Sequence, residues 1–174
     1  EWPSTLVPQT RFVGFEPNQA EYKKLVEHSS DAQKLGITVQ KFGKEEFHNC
    51  AVWSSETELP FYVTQGTGAC TMMGHSNQAF TSRMWLDGSS DSYFDQHTKV
   101  IESNPVSCKP LDDLLSDHKM IDFLKIDVEG AEMEVLKGAE TLFFDKKVLF
   151  VKSEFFLVPF FKENKLLGHQ HVYL

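Results

Sequence analysis

Two apolar segments with a helical pattern between them constrain the fold of this chain most strongly. Ile121–Ile126 and residues 148–156 have the near-continuous apolar character of strands inside a sheet. Residues 129–144 repeat apolar side chains along one helical face: Ala131, Val135, Leu136, Ala139, Leu142 and Phe143. A helix that connects two strands allows them to pair in parallel. The sequence therefore predicts an α/β fold with a parallel sheet that is covered by helices on both faces.

The same order of strand, loop and helix occurs near the start of the chain. Arg11–Phe15 is a short apolar run, and Pro17 disfavours a helical conformation at Glu16. Asn18 can cap a following helix, because its side chain can accept hydrogen bonds from the first free backbone amides. Apolar positions at helical spacing predict that this helix covers residues 19–35.

The middle of the chain combines two predicted strands with one long irregular stretch. Residues 47–53 and 58–64 have strand character, and the polar residues 54–57 predict a hairpin turn between them. Residues 66–105 are rich in Gly, Ser, Asn, Asp and His and have no sustained period. Loops of this length inside a domain are usually functional. We therefore expect a single domain over residues 1–174, with residues 66–105 as an insertion.

Composition excludes several classes of partner. The chain has 17 Lys and Arg against 25 Asp and Glu, a formal charge of -8, which argues against a nucleic-acid-binding surface. No apolar run approaches the ~20 residues of a membrane-spanning helix, so we expect a soluble domain. Cys50, Cys70 and Cys108 cannot form a closed disulfide framework and are predicted to be free thiols. Reduced thiols favour an intracellular or organellar compartment.

Acidic residues follow two of the predicted strands. Glu16 ends the first strand, Asp127 ends Ile121–Ile126, and Glu129 lies just beyond it. Ligands of open α/β sheets bind at the carboxyl ends of the strands, and a carboxylate there can accept both hydroxyl protons of a ribose. Two other interpretations remain open. Glu16 can be an exposed turn residue, and Asp127 and Glu129 can cap the following helix.

Residue spacing does not indicate metal ligands. His48 and Cys50 alternate along a predicted strand, and His169 and His171 do so further along the chain. Neither pair has further ligands at the spacing of a zinc site. We therefore predict no metal site.

Residues 122–139, which read DFLKIDVEGAEMEVLKGA, resemble the signature of the FkbM-type methyltransferases. These enzymes use S-adenosylmethionine as the methyl donor and have the class I, Rossmann-like fold. Residues 13–18 (VGFEPN) are similar to the family's second-strand motif, and residues 49–64 are similar to its third strand and the hairpin that follows. Weaker similarities occur in the same order at residues 66–71 and 109–114.

The resemblance implies where the cofactor binds. Glu16 would hold the ribose hydroxyls of S-adenosylmethionine, with Asn18 supporting the turn around it. The adenine would be flanked by three residues at the end of the third strand, namely Asn49, Cys50 and Ala51. These assignments come from the matching positions of the family motifs.

The resemblance also implies the chemistry. The methionine portion of the cofactor and the acceptor would lie beside Asp127 and Glu129, and Glu154 matches an acidic position on the substrate side at the end of the family's fifth strand. Methyl transfer to a hydroxyl is an in-line displacement that needs positioning and a base. Asp127 or a histidine is the candidate base. The implied function is O-methylation of a sugar or small metabolite.

One family feature is absent from this sequence. The family's first strand ends in an Asp and a glycine-rich loop, where glycine lets backbone amides approach the cofactor. Only ten residues precede Arg11, and none of them is glycine. We therefore expect the first strand and its helix to be missing, either because the chain is a fragment or because the cofactor cradle has been lost.

This departure leaves enzyme activity undecided and two further functions open. The domain can be a catalytically inactive methyltransferase-like subunit that binds protein partners in a larger assembly. It can also be a Rossmann-like binder of another nucleotide that transfers no methyl group. An enzyme would need a small-molecule or glycan acceptor, whereas a scaffold would need protein partners.

Overall fold

The fold is described from a computed structural model of the chain. It describes residues 6–27, 42–74, 96–156, 161–162 and 168–169. Outside these ranges lie residues 28–35 of the predicted first helix, residues 75–95 of the predicted insertion, and His171. The chain divides into two compact units, Glu1–Ala51 and Val52–Leu174. Both units contain strands and helices, so the predicted α/β class is confirmed at that level.

In its described residues, the first unit contains a parallel strand pair and a helix that lies between the two strands in the sequence. Its elements are a 3-10 turn at Val7–Gln9, strand β1 (Arg11–Phe15), helix α1 (Gln19–Val26) and strand β2 (Lys44–His48). Arg11 lies opposite Lys44, and Phe15 lies opposite His48. Strand β1 and the start of α1 agree with the prediction. The predicted strand over residues 47–53 is divided, because β2 ends at His48, a bend follows and the next strand begins at Ala51.

The second unit contains most of the regular structure. Its elements are strand β3 (Ala51–Val52), in which the unit boundary falls, strand β4 (Thr57–Thr64), a 3-10 turn (Thr67–Ala69), strand β5 (Val100–Lys109), helix α2 (Leu111–Leu114), strand β6 (Ile121–Ile126), helices α3 (Glu132–Lys137) and α4 (Glu140–Phe144), and strand β7 (Val148–Ser153). The start of β5 lies inside residues 66–105, so part of the predicted insertion is a strand.

The sheet of the second unit does not contain the predicted hairpin. Its strand order is β3–β5–β4, so residues 54–57 connect two strands that are not paired with each other. The backbone amide of Trp53 donates to the carbonyl oxygen of Lys109 at 3.0 Å, which holds the chain after β3 against the end of β5. Strand β5, which comes much later in the sequence, therefore lies between β3 and β4. The spacing of residues around β3 and β4 cannot reveal this arrangement.

Strands β6 and β7 form the parallel pair that the sequence predicts. Ile121 lies opposite Val148, and Ile126 lies opposite Ser153. Helices α3 and α4 lie between these strands in the chain, as a parallel connection requires. The carboxyl ends of both strands therefore reach the same edge of the pair, where the acidic residues follow.

The single helix predicted over residues 129–144 is wrong, because the structure has two helices there. The break falls at Gly138, which follows the last residue of α3. A Cβ atom on Gly138 would lie 2.1 Å from the carbonyl oxygen of Trp53, so the backbone of Gly138 packs directly on that carbonyl group. This close approach bends the chain at a position where the apolar period continues without interruption.

Asp112 stabilises the start of the second of these helices. Its carboxylate accepts hydrogen bonds from the backbone amides of Thr141 and Leu142, both at 2.9 Å. Its own amide donates to the carbonyl oxygen of Gly138 at 2.9 Å. A side chain from α2 thus satisfies amides that one continuous helix would bond internally.

The buried side of the helical pattern forms the core of the second unit. Its best-buried apolar side chains are Cys108, Leu111, Ile126, Leu136, Ala139 and Leu142. Within the described ranges, no helix is long and apolar enough to cross a membrane. None of the three cysteines is in a disulfide in the described residues, and Cys50 and Cys108 are buried.

Replacing Gly138 with alanine should destabilise the fold, although alanine is the better helix former. The backbone φ of Gly138 is -72°, so helix propensity alone would favour Gly138→Ala by about 1 kcal/mol. The contact with the Trp53 carbonyl reverses the sign, and we expect the free energy of unfolding to fall by about 1–3 kcal/mol in urea denaturation. Gly68→Ala is the control, because no atom lies within 4 Å of its Cβ position. A Gly138→Ala chain as stable as wild type would contradict the close approach.

Candidate functional site

The turn after β1 is organised around the side chain of Glu16. The backbone amide of Glu16 donates to the carbonyl oxygen of His48 at 3.0 Å, and its Oε1 accepts from the amide of Asn18 at 2.8 Å. Burial raises the pKa of this half-buried carboxyl, the amide of Asn18 opposes that rise, and the charge of Glu21 adds to it. The side chain of Glu16 is therefore half-buried and oriented by a hydrogen bond, so Glu16 is not the exposed turn residue of the alternative interpretation.

Two asparagines fix this turn from both sides. Asn18 is buried, and its Oδ1 accepts from the amides of Ala20 at 3.0 Å and Glu21 at 3.4 Å, so it caps α1 as predicted. Asn49 follows β2, and its Nδ2 donates to the carbonyl oxygens of Glu16 at 2.8 Å and Pro17 at 3.3 Å.

The residues assigned to the adenine follow β2, and the first of them, Asn49, is bonded to this turn. Asn49 is exposed apart from its two hydrogen bonds, whereas Cys50 and Ala51 are buried. The first unit thus brings together all five residues to which the resemblance assigns the ribose and adenine: Glu16, Asn18, Asn49, Cys50 and Ala51. Their roles in cofactor binding stay predictions.

The second unit brings together three acidic residues at the ends of β6 and β7. Asp127, Glu129 and Glu154 each place one carboxylate oxygen within 4.8 Å of those of the other two. We call these three residues the carboxylate cluster. The amide of Glu154 donates to the carbonyl oxygen of Ile126 at 3.3 Å, which aligns the two strand ends. One cation could contact all three side chains, but acidic spacing alone does not assign a metal.

Crowding in the cluster changes the acidity of Glu129. Burial raises its pKa to about 7, and the charges of Glu154, Asp127 and Glu132 contribute in that order. Asp127 is exposed and forms an ion pair with Lys125, whose Nζ lies 2.6 Å from Oδ2. The carboxylates of the cluster therefore differ. Glu129 exchanges a proton near neutral pH, whereas Asp127 has a cationic neighbour.

The backbone of Glu129 adopts a left-handed conformation. Its φ is 51°, and that of Gly130 is 102°. A Cβ atom on Gly130 would lie 2.6 Å from the ring of Phe161, so only glycine fits there without a shift. Thr71 Oγ1 donates to the carbonyl oxygen of Glu129 at 2.7 Å. The N-cap of α3 is Ala131 and no side chain forms a capping hydrogen bond there, so the capping interpretation does not describe Glu129.

Glu132 is a buried acid that the sequence analysis does not identify. Its exposed fraction is 0%, and its Oε1 accepts from the amide of Gly130 at 3.0 Å. Burial raises its pKa, whereas the amides of Gly130, Glu132 and Val128 lower it and the charge of Glu154 raises it. A signal was available: Glu132 lies three and four residues before Val135 and Leu136, on the buried face of the helix.

Acidic groups at the carboxyl ends of parallel strands are typical of α/β proteins that bind a small ligand. Residues 4–173 match the family model described as Methyltransferase FkbM domain, so the chain belongs to the FkbM methyltransferase family, as predicted. Members of this family generally use S-adenosylmethionine as the methyl donor. Searches of the curated proteins and of the solved structures gave no match.

Glu129→Gln should stabilise the fold above neutral pH and have little effect in acid. The pKa of Glu129 is about 7 in the folded chain against an ordinary 4.5, so the folded chain keeps a proton that the unfolded chain releases. The stability from protonated Glu129 is present below pH 4.5 and is lost as the pH rises through about 7. We expect the variant to exceed wild type by about 1–3 kcal/mol at pH ~8 in urea unfolding.

The matched control is Glu58→Gln, which removes one negative charge from an exposed position on β4. Its effect on the free energy of unfolding should not follow the same pH curve. A Glu129→Gln effect that is constant between acid and neutral pH would contradict the raised pKa.

Proposed function

We propose that this chain transfers a methyl group from S-adenosylmethionine to a hydroxyl of a sugar or small metabolite. The observation that carries the proposal is the carboxylate cluster, in which three acidic side chains meet within 4.8 Å at two parallel strand ends. When bound, S-adenosylmethionine supplies an electrophilic methyl group on a positively charged sulfonium. Carboxylates attract such a cation, and a carboxylate can accept the proton of a hydroxyl. The cluster therefore provides negative charge that attracts the sulfonium and a carboxylate that can accept the hydroxyl proton, which are the two contributions that this transfer needs from the protein.

We infer that each of the two parallel strand pairs is, within its own unit, a strand–helix–strand unit of the kind that a Rossmann-like class I methyltransferase fold repeats. Support comes from the order strand, helix, strand in β1–α1–β2 and again in β6–α3–α4–β7. That order is the repeated unit of such sheets, and their ligands bind beyond the carboxyl ends of the strands. Glu16 and the carboxylate cluster each follow such a strand end within their own unit.

Glu16 is the proposed ribose ligand. The amide of Asn18 donates to one of its oxygens at 2.8 Å, which orients the carboxylate. An ionised carboxylate has about four lone-pair positions, so acceptor capacity remains for both ribose hydroxyls. The residues present therefore fit the ribose of the cofactor, with Asn49, Cys50 and Ala51 assigned to the adenine.

Glu129 is the proposed base. A group whose pKa lies near the working pH is best suited to proton transfer, and burial, together with the neighbouring acidic charges, raises the pKa of Glu129 to about 7. In its ionised form, Glu129 takes the hydroxyl proton of the acceptor on a carboxylate oxygen. Asp127, the base that the sequence predicts, is paired with Lys125. We assign Asp127 and Glu154 to attraction of the cationic donor and to orientation of the acceptor.

One observation favours the alternative function, an inactive methyltransferase-like subunit of a larger assembly. Large apolar side chains are exposed on and near β7, with exposed fractions of 85% for Phe144 and 68% for Phe150. Phe150 lies opposite Phe123, which is also exposed. Contiguous apolar surface of this kind marks protein-binding sites. Such a surface does not exclude catalysis, so cofactor binding decides between the two functions.

Glu16→Ala should weaken the binding of S-adenosylhomocysteine by about 10-fold to 100-fold, because hydrogen bonds from two hydroxyls to a charged acceptor are lost. Isothermal titration calorimetry on the full chain measures the affinity. Glu21→Ala is the control, since Glu21 is a nearby acid whose side chain pairs with Lys24 on the surface of α1. Equal affinity of the Glu16→Ala variant and wild type would exclude the ribose assignment, and a wild-type chain that binds no S-adenosylhomocysteine would favour the inactive subunit.

Glu129→Gln should lower kcat by about 10²-fold to 10⁴-fold, the usual contribution of a positioned base. Release of S-adenosylhomocysteine in the presence of a panel of sugar and small-metabolite acceptors measures the transfer. Asp127→Asn removes a charge from the same cluster and should reduce kcat less. If Asp127→Asn abolishes transfer while Glu129→Gln retains it, Asp127 is the base, as the sequence predicts.

A further inference from the structure

Thr71 is a buried polar residue for which neither the family resemblance nor the proposed function provides a role. It lies after β4 with an exposed fraction of 1%. Its backbone is anchored to that strand, because the amide of Tyr62 donates to its carbonyl oxygen at 2.9 Å and its own amide donates to Tyr62 at 3.1 Å. Thr71 is therefore a fixed point beside the sheet of the second unit.

The hydroxyl of Thr71 both accepts and donates a hydrogen bond. Its Oγ1 accepts from the amide of Met73 at 3.0 Å and donates to the carbonyl oxygen of Glu129 at 2.7 Å. The second of these hydrogen bonds spans a long stretch of sequence and ends on the residue whose side chain is the most crowded of the carboxylate cluster.

Glu129 needs such a tether for two reasons. Its φ of 51° lies in the left-handed region, which a residue with a Cβ atom adopts at a cost in free energy. Its carboxylate also lies among Asp127, Glu154 and the buried Glu132, whose charges repel it, with Lys125 as the cation paired to Asp127. Both effects favour rotation of Glu129 out of the cluster.

The residue after Glu129 is held from the other side. The amide of Gly130 donates to Oε1 of Glu132 at 3.0 Å, and its Cα lies against the ring of Phe161. The carbonyl oxygen of Glu129 and the amide of Gly130 belong to one planar peptide group, so Thr71 and Glu132 hold that group from its two sides. Thr71 holds the side that carries the carbonyl group of Glu129 itself.

We propose that Thr71 is a positioning residue that holds Glu129 in the carboxylate cluster, where Glu129 takes the proton of the acceptor. This inference rests on the proposed function, in which Glu129 is the base. Thr71 touches neither donor nor acceptor in this role. It acts only through the carbonyl group of Glu129.

The test compares Thr71→Val, which keeps the shape of the side chain but removes the hydroxyl, with Thr71→Ser, which keeps the hydroxyl. Titration of Glu129 is followed by ¹³C NMR on chain labelled at the glutamate δ-carbon, in EDTA, with Glu129→Gln to assign the signal. In Thr71→Val, released Glu129 should titrate at least about half a pH unit lower than in wild type, toward its ordinary value. Thr71→Ser should titrate like wild type.

Thr64→Val is the matched control for a purely structural effect. Thr64 is also 1% exposed on the same sheet, and its Oγ1 donates to the carbonyl oxygen of Gly66 at 2.6 Å without contacting Glu129. Thr64→Val should lower thermal stability as Thr71→Val does but leave the Glu129 titration unchanged. Equal shifts in both valine variants, or no shift in Thr71→Val, would overturn the proposal. Should Thr71→Val not fold, Thr71→Ala removes the hydroxyl without adding a methyl group and carries the same expectation.

A kinetic measurement separates this inference from the proposed function. With an acceptor in hand, Thr71→Val should lower kcat at least tenfold and leave KM for the donor unchanged, and Thr71→Ser should restore kcat. The NMR titration needs no cofactor, so a chain that binds no S-adenosylhomocysteine would overturn the proposed function and still leave the effect of Thr71 on Glu129 measurable. A Thr71→Val variant with altered KM and unchanged kcat would contradict the positioning role.

Discussion

The burial and close approach of carboxylates at the ends of β6 and β7 is the constraint on which the candidate site of the second unit depends. Three acidic side chains have ligand atoms within 4.8 Å of one another. Like charges at such distances repel by about 1 kcal/mol in water and by more where water is excluded. The structure offsets this cost in two ways. Lys125 pairs with Asp127, and Glu129 shifts its pKa so that it carries a proton at mildly acidic pH.

The local backbone follows from keeping these groups together. Glu129 and Gly130, the residues that turn the chain after β6, both have a positive φ. Gly130 makes this possible because it has no side chain to meet Phe161. Glu132 then satisfies the Gly130 amide from within the core, at the cost of burying a carboxyl group. The turn, the buried acid and the threonine tether form one arrangement with one result, a half-buried carboxyl beside two others.

Local patterns were sufficient where the structure is local. Strand β1, the Asn18 cap and the parallel pairing of β6 with β7 could be predicted because each depends on residues close in sequence or on the apolar period of one segment. The hairpin at residues 54–57 and the single helix over residues 129–144 were wrong because distant groups decide them. Strand β5 inserts beside β3, and the carbonyl of Trp53 with the carboxylate of Asp112 divides the helix. The sequence of each affected segment contains no signal of the distant group that changes its structure.

The same distinction explains the candidate site. Glu16, Asp127, Glu129 and Glu154 could be named because acidic residues after apolar strands indicate a strand end, and the family motifs place them in order. Thr71 could not be named, because its contact with Glu129 joins segments far apart in the chain. Glu132 carried a weak signal, an acid on the buried face of a helical stripe. Residues that hold a site in shape are thus harder to find from sequence than the residues that line it.

In the proposed function, the donor and the base are coupled through charge. A cation beside the carboxylate cluster favours the ionised form of every acid in it, and Glu129 is the acid with the most to gain, because its pKa is raised to about 7. Binding of a sulfonium would therefore lower the pKa of Glu129 and increase the fraction of Glu129 that is ionised and ready to act as the base. Repulsion that destabilises the empty cluster would in this way favour binding of the cation and the ionisation that the transfer requires.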